Sequence, residues 1–281
     1  MSLKNIKQNK VVFCGVKNIG LLALRTFVEI SEVCIVITTN HKDNKKILDL
    51  SDKLNIPVYI DPDFKNIKFI NDIKRKKINT AVSVSYPKII PEIFFKIFKN
   101  GMLNFHPAKL PNYRGCYPTL WPILYSDEFA YYTLHIIDKG IDTGPILKEI
   151  KIKINNNDTG WSLYQRLEKK LPSFIKTSSS IMFSENKKIL IQEEEYANYY
   201  TKKIPNNGLI DFSWKGSYIV NFIRALYSPI HLSAYIIVDE KIIEIMSAKY
   251  LSFENDIKND YKKNSLFECS DGYVVLKSKL V

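Results

Sequence analysis

The sequence lacks the features of a membrane-bound or secreted protein. Its longest apolar stretch, residues 219–238, is interrupted by several polar residues and by Pro229, so it does not resemble a membrane span. The first 15 residues pass from polar positions into a short apolar run, without the cleavage site of a signal peptide. The four cysteines are widely spaced and form no CxxC pair, as is typical of a reducing compartment. These absences predict a cytoplasmic protein with no membrane partner.

Several common site signatures are also missing. Gly15 and Gly20 bound a G-x4-G turn that has neither the central glycine of a dinucleotide-binding loop nor the Gly-Lys-Ser/Thr end of a P-loop. The chain contains no GxSxG and no HExxH, and its four histidines do not show the spacing of metal ligands. NAD binding, ATP hydrolysis, serine hydrolysis and zinc catalysis therefore lose support, and we expect no metal.

The net charge of +12 raises the question of nucleic-acid binding, because lysine and arginine neutralise phosphates. Only five of the 41 basic residues are arginines, however, and the lysines are spread along the whole chain. This distribution indicates a background bias rather than a binding patch, so we expect no nucleic-acid partner. A diffuse positive field would still favour an anionic substrate.

Strand-like and helix-like patterns alternate along the first half of the chain. Short apolar or β-branched runs are separated by segments with apolar residues at helical spacing. The runs lie at residues 11–14, 33–38, 58–60 and 81–85. This alternation predicts a Rossmann-like α/β fold, with helices on each side of a parallel sheet. Later in the chain, a short helix and alternating strands predict a smaller α+β module, so we expect two domains, residues 1–195 and 196–281.

Polar residues follow the strands of this sheet, where ligands bind in α/β folds. Residues 85–87 follow the fourth strand, and Asn104 and His106 end the next short apolar run. Residues two apart in an extended segment point to the same side, so Asn104 and His106 can face one cleft. A later strand delivers the loop 138–144, whose Asp142 can reach that cleft only through the fold.

The informative motifs are NFHPAKLPNYRG at residues 104–115 and DKGIDTG at residues 138–144. With them the chain resembles the folate-dependent formyltransferases, whose shared pattern is Asn-x-His followed by Asp in a DxGxDTG-like loop. The closest likeness is to the sugar N-formyltransferases, in which HPxxLPxYRG is a familiar form. The likeness continues through residues 85–91, 205–211 and 223–226, and so covers most of the chain.

The resemblance implies that Asn104, His106 and Asp142 are catalytic, and the chemistry of formyl transfer agrees with this. An amine that attacks a formyl carbonyl creates a tetrahedral centre with an oxyanion and a surplus proton, so the site needs a donor and a base. The amide of Asn104 supplies a donor. A neutral His106 can take the proton or donate to the oxyanion, and Asp142 can orient it and stabilise its charged form. Taken singly, Asn104 and His106 would more often have structural roles.

For the donor, the resemblance implies N10-formyltetrahydrofolate, with tetrahydrofolate as the product. Its pterin would bind between two segments, mainly through backbone groups of the first. The implied contacts are Tyr86, Pro87, Ile89 and Ile90 in one segment and Asp138 and Gly140 in the other. Core packing is an alternative role for Ile89 and Ile90, and the two roles are compatible.

Candidates for the acceptor site lie beside the catalytic motif and in the C-terminal module. The predicted substrate-binding residues are Lys109, Tyr113, Arg114, Lys202 and Arg224. A planar guanidinium such as that of Arg114 could grip a phosphate or a sugar hydroxyl. The open alternative is a structural arginine that braces the loop.

The acceptor cannot be read from the catalytic residues, because the same residues serve several branches of the family. Methionyl-tRNA formyltransferases carry a long basic loop after the second strand, whereas residues 38–57 here pass almost directly into a helix. Glycinamide-ribonucleotide enzymes generally lack a C-terminal module. The resemblance therefore implies a nucleotide-linked amino sugar, with dTDP-4-amino-4,6-dideoxyglucose as first choice, used for O-antigen, lipopolysaccharide or other surface polysaccharide.

Several alternatives stay open at this point. UDP- or GDP-linked sugars and a 3-amino position are compatible with the motifs. Two competing functions are an RNA-acting enzyme like methionyl-tRNA formyltransferase and a hydrolase that releases formate from formyltetrahydrofolate. The oligomeric state is open too, with a homodimer through the C-terminal module as one arrangement.

Overall fold

The computed structural model describes residues 9–228, 233–252 and 265–278. The chain forms two compact units, each built from several segments. The first comprises Met1–Arg114, Tyr131–Ile150 and Leu167–Asn198, and the second comprises Gly115–Ala130, Lys151–Arg166 and Tyr199–Val281. The domain boundary expected after residue 195 stays a prediction. An exposed loop that the polar sequence predicts at residues 255–264 lies outside the described residues. Within the described ranges, no helix is long and apolar enough to cross a membrane.

Strands and helices alternate along the first half, as the sequence predicts. The strands are β1 (Lys10–Gly15), β2 (Glu32–Thr38), β3 (Val58–Ile60), β4 (Thr80–Val84), β5 (Met102–His106), β6 (Arg114–Gly115), β7 (Phe129–Ile136), β8 (Ile146–Lys153), β9 (Tyr199–Tyr200), β10 (Tyr235–Val238), β11 (Lys241–Leu251), β12 (Leu266–Cys269) and β13 (Gly272–Ser278). The helices are α1 (Lys17–Ile30), α2 (Lys45–Lys53), α3 (Ile67–Arg75), α4 (Glu92–Phe95), α5 (Leu120–Leu124), α6 (Gly160–Met182) and α7 (Gly216–Leu226).

The large sheet has seven strands in the order β3-β2-β1-β4-β5-β7-β8. The first five strands of this order are parallel, which confirms the predicted α/β class. The sheet is not parallel throughout, because β7 runs antiparallel to β5, with His106 opposite Thr133 and Leu103 opposite Ile136. The loop that follows β7 therefore starts beside the amino end of β5, and it must fold back to reach the end that carries His106.

The side chains of β5 alternate between a face that is covered by helices and a face that carries Asn104 and His106. The ring of Phe105 packs against Phe174 of α6 at 5.6 Å and against Phe27 of α1 at 6.2 Å, so one face of β5 is covered by two helices. Successive side chains of a strand point to opposite faces. Asn104 and His106 therefore project from the opposite face, as the sequence predicts.

The second unit contains a four-stranded antiparallel sheet in the order β10-β11-β13-β12. Helix α7 accompanies this sheet and buries Ile219, Phe222 and Ile223. These elements confirm the predicted smaller α+β module. Helix α6 continues across Pro172.

Candidate active site

The three predicted catalytic side chains meet on the polar face of β5. The Nδ2 atom of Asn104 lies 3.4 Å from Oδ1 of Asp142, and Nδ1 of His106 lies 3.6 Å from Oδ2 of the same carboxylate. His106 is buried, and the side chain of Asp142 is 13% exposed. The two oxygens of one carboxylate thus face the two residues of the Asn-x-His motif. Within the described residues, no group of three or more His, Cys, Asp and Glu side chains is placed to hold a metal ion.

The hydrogen bonds of His106 determine which ring nitrogen can take a proton. Its Nε2 atom lies 2.8 Å from the carbonyl oxygen of Tyr113, which can only accept, so Nε2 carries hydrogen. In the neutral ring the lone pair is then on Nδ1, which faces the carboxylate of Asp142. A proton gained at Nδ1 would form an ion pair with Asp142, so this geometry suits a base that becomes charged during the reaction.

A second histidine, His135 of β7, completes the cluster. It lies opposite Asn104 in the sheet, and its Nδ1 atom is 3.0 Å from the carbonyl oxygen of Ile136, to which it donates. Its Nε2 atom is then the acceptor for the Asn104 amide, at 3.1 Å. This bond holds the amide while its second N–H faces Asp142 at the longer distance of 3.4 Å. That second N–H is the one best placed to turn to a developing oxyanion.

The sequence motifs do not identify His135, because its spacing from the other histidines matches no metal site. Its signal lies in strand pairing instead, since residues directly opposite on antiparallel strands share a face. The antiparallel direction of β7, which differs from the parallel sheet predicted from the sequence, puts His135 beside Asn104.

The loop that carries Asp142 is tightly folded. Asp142 itself has a φ of 56°, in the left-handed region that aspartate tolerates better than most residues. The carboxylate of Asp138 accepts hydrogen bonds from the backbone N–H of Gly140 and from the hydroxyl of Thr143. A Cβ atom on Gly144 would lie 1.8 Å from the carbonyl oxygen of Ile136. Glycine is thus required at residue 144 by a close approach of two backbones.

Replacing Gly144 by alanine is expected to destabilise the protein and to displace Asp142. Because the added methyl group meets backbone rather than a movable side chain, the free energy of unfolding should fall by about 1–3 kcal/mol. Thermal unfolding and turnover would be measured together. A folded Gly144→Ala protein with wild-type melting temperature and wild-type turnover would contradict the close approach.

The two predicted cofactor segments lie close together. The ammonium group of Lys139 is 3.3 Å from Glu92, which lies two residues after the first segment. Ile89 and Ile141, one from each segment, are 79% and 53% exposed, whereas Ile90 is buried in the core. Among the described residues, the backbone N–H groups of Tyr86, Lys88, Ile89 and Ile90 have no hydrogen-bond partner. Exposed apolar side chains beside unpaired backbone donors fit a flat heteroaromatic ring.

The hydroxyl of Tyr86 is a further unsatisfied group in this region. It is buried and has no hydrogen-bond partner within the described residues. Burial is also the main reason why the pKa of Tyr86 is raised, so that the hydroxyl stays a neutral donor. Pro87 is exposed, as expected for a residue on the rim of a binding site.

The five predicted substrate-binding residues differ in their exposure and in their contacts. Lys109 is exposed, with its ammonium group 5.4 Å from the ring centre of Tyr131, and Lys202 is exposed in the second unit. Tyr113 is 8% exposed, and its carbonyl oxygen orients His106. The other two residues are arginines that already bind protein groups.

The guanidinium group of Arg114 is fully buried and donates to Gln192 and Glu194. Arg224 donates to the side chain of Asn221 and to backbone carbonyls, including that of Asn156 at 2.9 Å. Burial lowers the pKa of Arg224. These contacts favour structural roles for both arginines, which is the alternative that the sequence left open for Arg114.

Comparisons with known proteins give two family matches and several similar proteins. Residues 25–177 match the family described as Formyl transferase, and residues 203–279 match the Formyl transferase, C-terminal domain. The bifunctional polymyxin resistance protein ArnA of Wigglesworthia glossinidia brevipalpis is 34% identical over 261 residues, which cover 88% of this chain and 38% of that protein. GDP-perosamine N-formyltransferase of Brucella melitensis biotype 1 is 30% identical over 166 residues, 59% of this chain and 63% of that protein. The chain therefore spans less than two thirds of either relative.

A solved structure has the same fold. The crystal structure of the N-formyltransferase from Helicobacter canadensis, in complex with folinic acid and dTDP-3-aminofucose, superposes with a TM-score of 0.75. The sequences are 21% identical, and the match covers 96% of this chain and 100% of the other. At this identity the likeness concerns the fold alone.

Proposed function

The chain belongs to the formyl transferase family, and we propose that it transfers a formyl group from N10-formyltetrahydrofolate to the amine of a nucleotide-linked amino sugar. The observation that carries this proposal is the cluster in which Asn104, His106 and Asp142 meet beside the two cofactor segments. A donor amide, a ring nitrogen with a free lone pair and a carboxylate are the groups that acyl transfer to an amine requires.

The residues around Tyr86–Ile90 and Asp138–Gly140 fit the folate. When bound, the cofactor supplies the activated formyl group. The unpaired N–H groups of Ile89 and Ile90 would bind polar edges of the pterin, and the side chains of Ile89 and Ile141 would cover its ring. Burial of the ring against these side chains would exclude water from the face of β5. The amide of Asn104, which is the proposed hydrogen-bond donor to the oxyanion, lies on that face.

Each residue of the site has a separate role in the transfer. The N–H of Asn104 that faces Asp142 stabilises the negative charge that develops on the formyl oxygen. His106 takes up the proton of the attacking amine at Nδ1, where the carboxylate of Asp142 stabilises the resulting positive charge. His106 can then return this proton to the departing nitrogen of the folate as the bond between that nitrogen and the formyl carbon breaks. The carbonyl oxygen of Tyr113 keeps the opposite ring nitrogen protonated, so the ring cannot bind the proton at the wrong atom.

We propose dTDP-4-amino-4,6-dideoxyglucose as the acceptor, for surface polysaccharide synthesis. Support comes from relatives whose names state GDP-perosamine N-formyltransferase activity and from the structure that holds dTDP-3-aminofucose. These names also keep a GDP-linked sugar and a 3-amino position as alternatives. The exposed Lys109 is our candidate for the acceptor's phosphates, and the exposed Lys202 of the second unit is an alternative candidate. Four free cysteines accord with a reaction in the reducing cytoplasm.

The test is release of tetrahydrofolate from N10-formyltetrahydrofolate in the presence of each acceptor. The acceptors are dTDP-4-amino-4,6-dideoxyglucose, its 3-amino isomer, the UDP and GDP counterparts, and initiator tRNA charged with methionine. We expect turnover with a dTDP-linked amino sugar. Turnover with charged tRNA alone, or release of formate without any amine, would overturn the proposal in favour of an RNA-acting enzyme or a hydrolase.

A further inference from the structure

A chain of buried polar groups leads from Arg114 to the catalytic loop. The guanidinium group of Arg114 donates to Oε1 of Gln192 through Nε at 3.1 Å and through Nη2 at 3.0 Å. Gln192, itself buried, donates from Nε2 to the carbonyl oxygens of Asp142 at 2.9 Å and of Gly144 at 2.7 Å. The amide oxygen and nitrogen of Gln192 are thus both paired, and the carbonyl partners belong to Asp142 itself and to Gly144, two residues later.

These partners allow only one orientation of the amide. If the Gln192 amide were turned over, its NH2 group would face the donors of Arg114 and its oxygen would face two carbonyl oxygens. The backbone of residues 142–144 is therefore held in one place. The position of the segment that carries Gln192 is fixed as well. Leu190, two residues before Gln192, exchanges two backbone hydrogen bonds of 2.8 Å with Ile146 of β8.

The charge on Arg114 has a partner of its own. Its guanidinium is fully buried, and it forms two hydrogen bonds to the exposed carboxylate of Glu194, at 3.0 Å and 2.8 Å. This ion pair lowers the pKa of Glu194. A buried arginine is tolerated when it is paired in this bidentate way, and its remaining N–H groups are then fixed in direction towards Gln192.

Asp142 needs such support because its own backbone conformation is unfavourable. A non-glycine residue at φ 56° is held in the left-handed region at a cost on the order of 1 kcal/mol. Its side chain must nevertheless face Asn104, His106 and His135 at once. A loop that relaxed by one ångström would move the carboxylate out of reach of these three groups.

We propose that Arg114 and Gln192 are positioning residues, which hold the catalytic carboxylate of Asp142 in place from behind. The proposal rests on the proposed function, because it assigns these residues to the same site. Neither side chain touches the reacting atoms. Gln192 fixes the loop backbone, and Arg114 fixes the orientation of Gln192.

The test compares Gln192→Leu and Gln192→Glu with the wild-type chain. Leucine has a similar volume and makes no hydrogen bond, while glutamate would direct a carboxylate oxygen at two carbonyl oxygens. We expect kcat to fall by about 100-fold in both variants, since a shift of about 1 Å in a catalytic group costs that much, with KM for both substrates changed less than about threefold. A purely structural role would lower the melting temperature and leave kcat of the folded protein unchanged, which would overturn the proposal.

A double-mutant cycle sharpens the test. Because Gln192 is proposed to act through Asp142, adding Gln192→Leu to Asp142→Asn should cost less than about threefold further in kcat. Independent losses that multiply would contradict the proposal. Asn44→Leu is the matched control, since Asn44 is also a buried amide that bonds two loops, and none of its partners is a catalytic residue. It should lose stability and keep its kcat.

A readout without substrate separates this proposal from the proposed function. The ring nitrogens of His106 and His135 would be observed by 15N NMR in the wild-type and Gln192→Leu proteins. We expect the signals of both rings to change when Asp142 moves, while those of Asn44→Leu stay in place. If no acceptor is turned over, the proposed function fails while this result still decides the positioning role. Unchanged ring signals in folded Gln192→Leu would overturn it.

Discussion

Replacing His106 by alanine is expected to lower kcat by about 1,000-fold, the scale on which general acid–base groups contribute. Its Nδ1 atom is the only ring position left for a proton, and alanine offers no substitute. Asn104→Ala should cost about 100- to 1,000-fold, because it removes a donor for the developing oxyanion. Affinity for the nucleotide sugar should change little in either variant, since neither residue is assigned to the nucleotide. Single-turnover kinetics with calorimetric binding of the acceptor would measure both effects.

The control for these variants is His41→Ala. His41 is 45% exposed and pairs with Asp43, so its loss should leave turnover within about twofold, as expected of an exposed surface residue. Circular dichroism and thermal unfolding would verify that the two active-site variants are folded. If folded His106→Ala kept its turnover within about threefold, far less than the loss expected on removal of a general base, His106 would have only a structural role.

The part of the site on β5 could be predicted because it depends on local rules. A strand of alternating residues puts Asn104 and His106 on one side, and the helices that cover the other side were visible as apolar spacing. The position of β5 within a parallel sheet then places both residues near the edge where ligands bind.

Asp142 could be placed only by its motif. The rule that ligands bind beyond the ends of parallel strands does not apply to it, because its loop follows the antiparallel strand β7. The loop reaches the polar face by folding back on itself, with Gly144 against the carbonyl oxygen of Ile136. Strand direction is a tertiary property, and the same fact accounts for the failure to identify His135.

The composition of the chain also could not predict which polar side chains are buried. Arginine suits anions, so the sequence offers Arg114 as a phosphate ligand, with a structural arginine as the alternative. Its guanidinium is buried and bonds Gln192 and the exposed Glu194, which follow it by 78 and 80 residues. Sequence spacing contains no signal for such pairs. The motif Tyr-Arg-Gly is thus placed beside the catalytic strand for two reasons: the carbonyl oxygen of Tyr113 orients His106, and Arg114 anchors the segment that holds Asp142.

Asp142→Asn should produce a loss of kcat comparable with that of His106→Ala, about 1,000-fold or more, as in other sites where a carboxylate stabilises an imidazolium. Asparagine has the same shape and also tolerates the left-handed region, and Gln192 bonds the backbone of residue 142, so the loop should keep its position. What is lost is the negative charge that faces Nδ1 of His106. Steady-state and single-turnover kinetics would measure this loss.

Asp142→Glu separates charge from geometry in the same experiment. It keeps the charge but moves it by one methylene group, so we expect an intermediate loss of about 10- to 100-fold, the scale of a misplaced catalytic group. If Asp142→Asn retained turnover and Asp142→Glu lost it, the carboxylate would act by shape and hydrogen bonding alone. The proton of the amine would then leave by a route other than the His106–Asp142 pair, and the assignment of Nδ1 as its acceptor would be wrong.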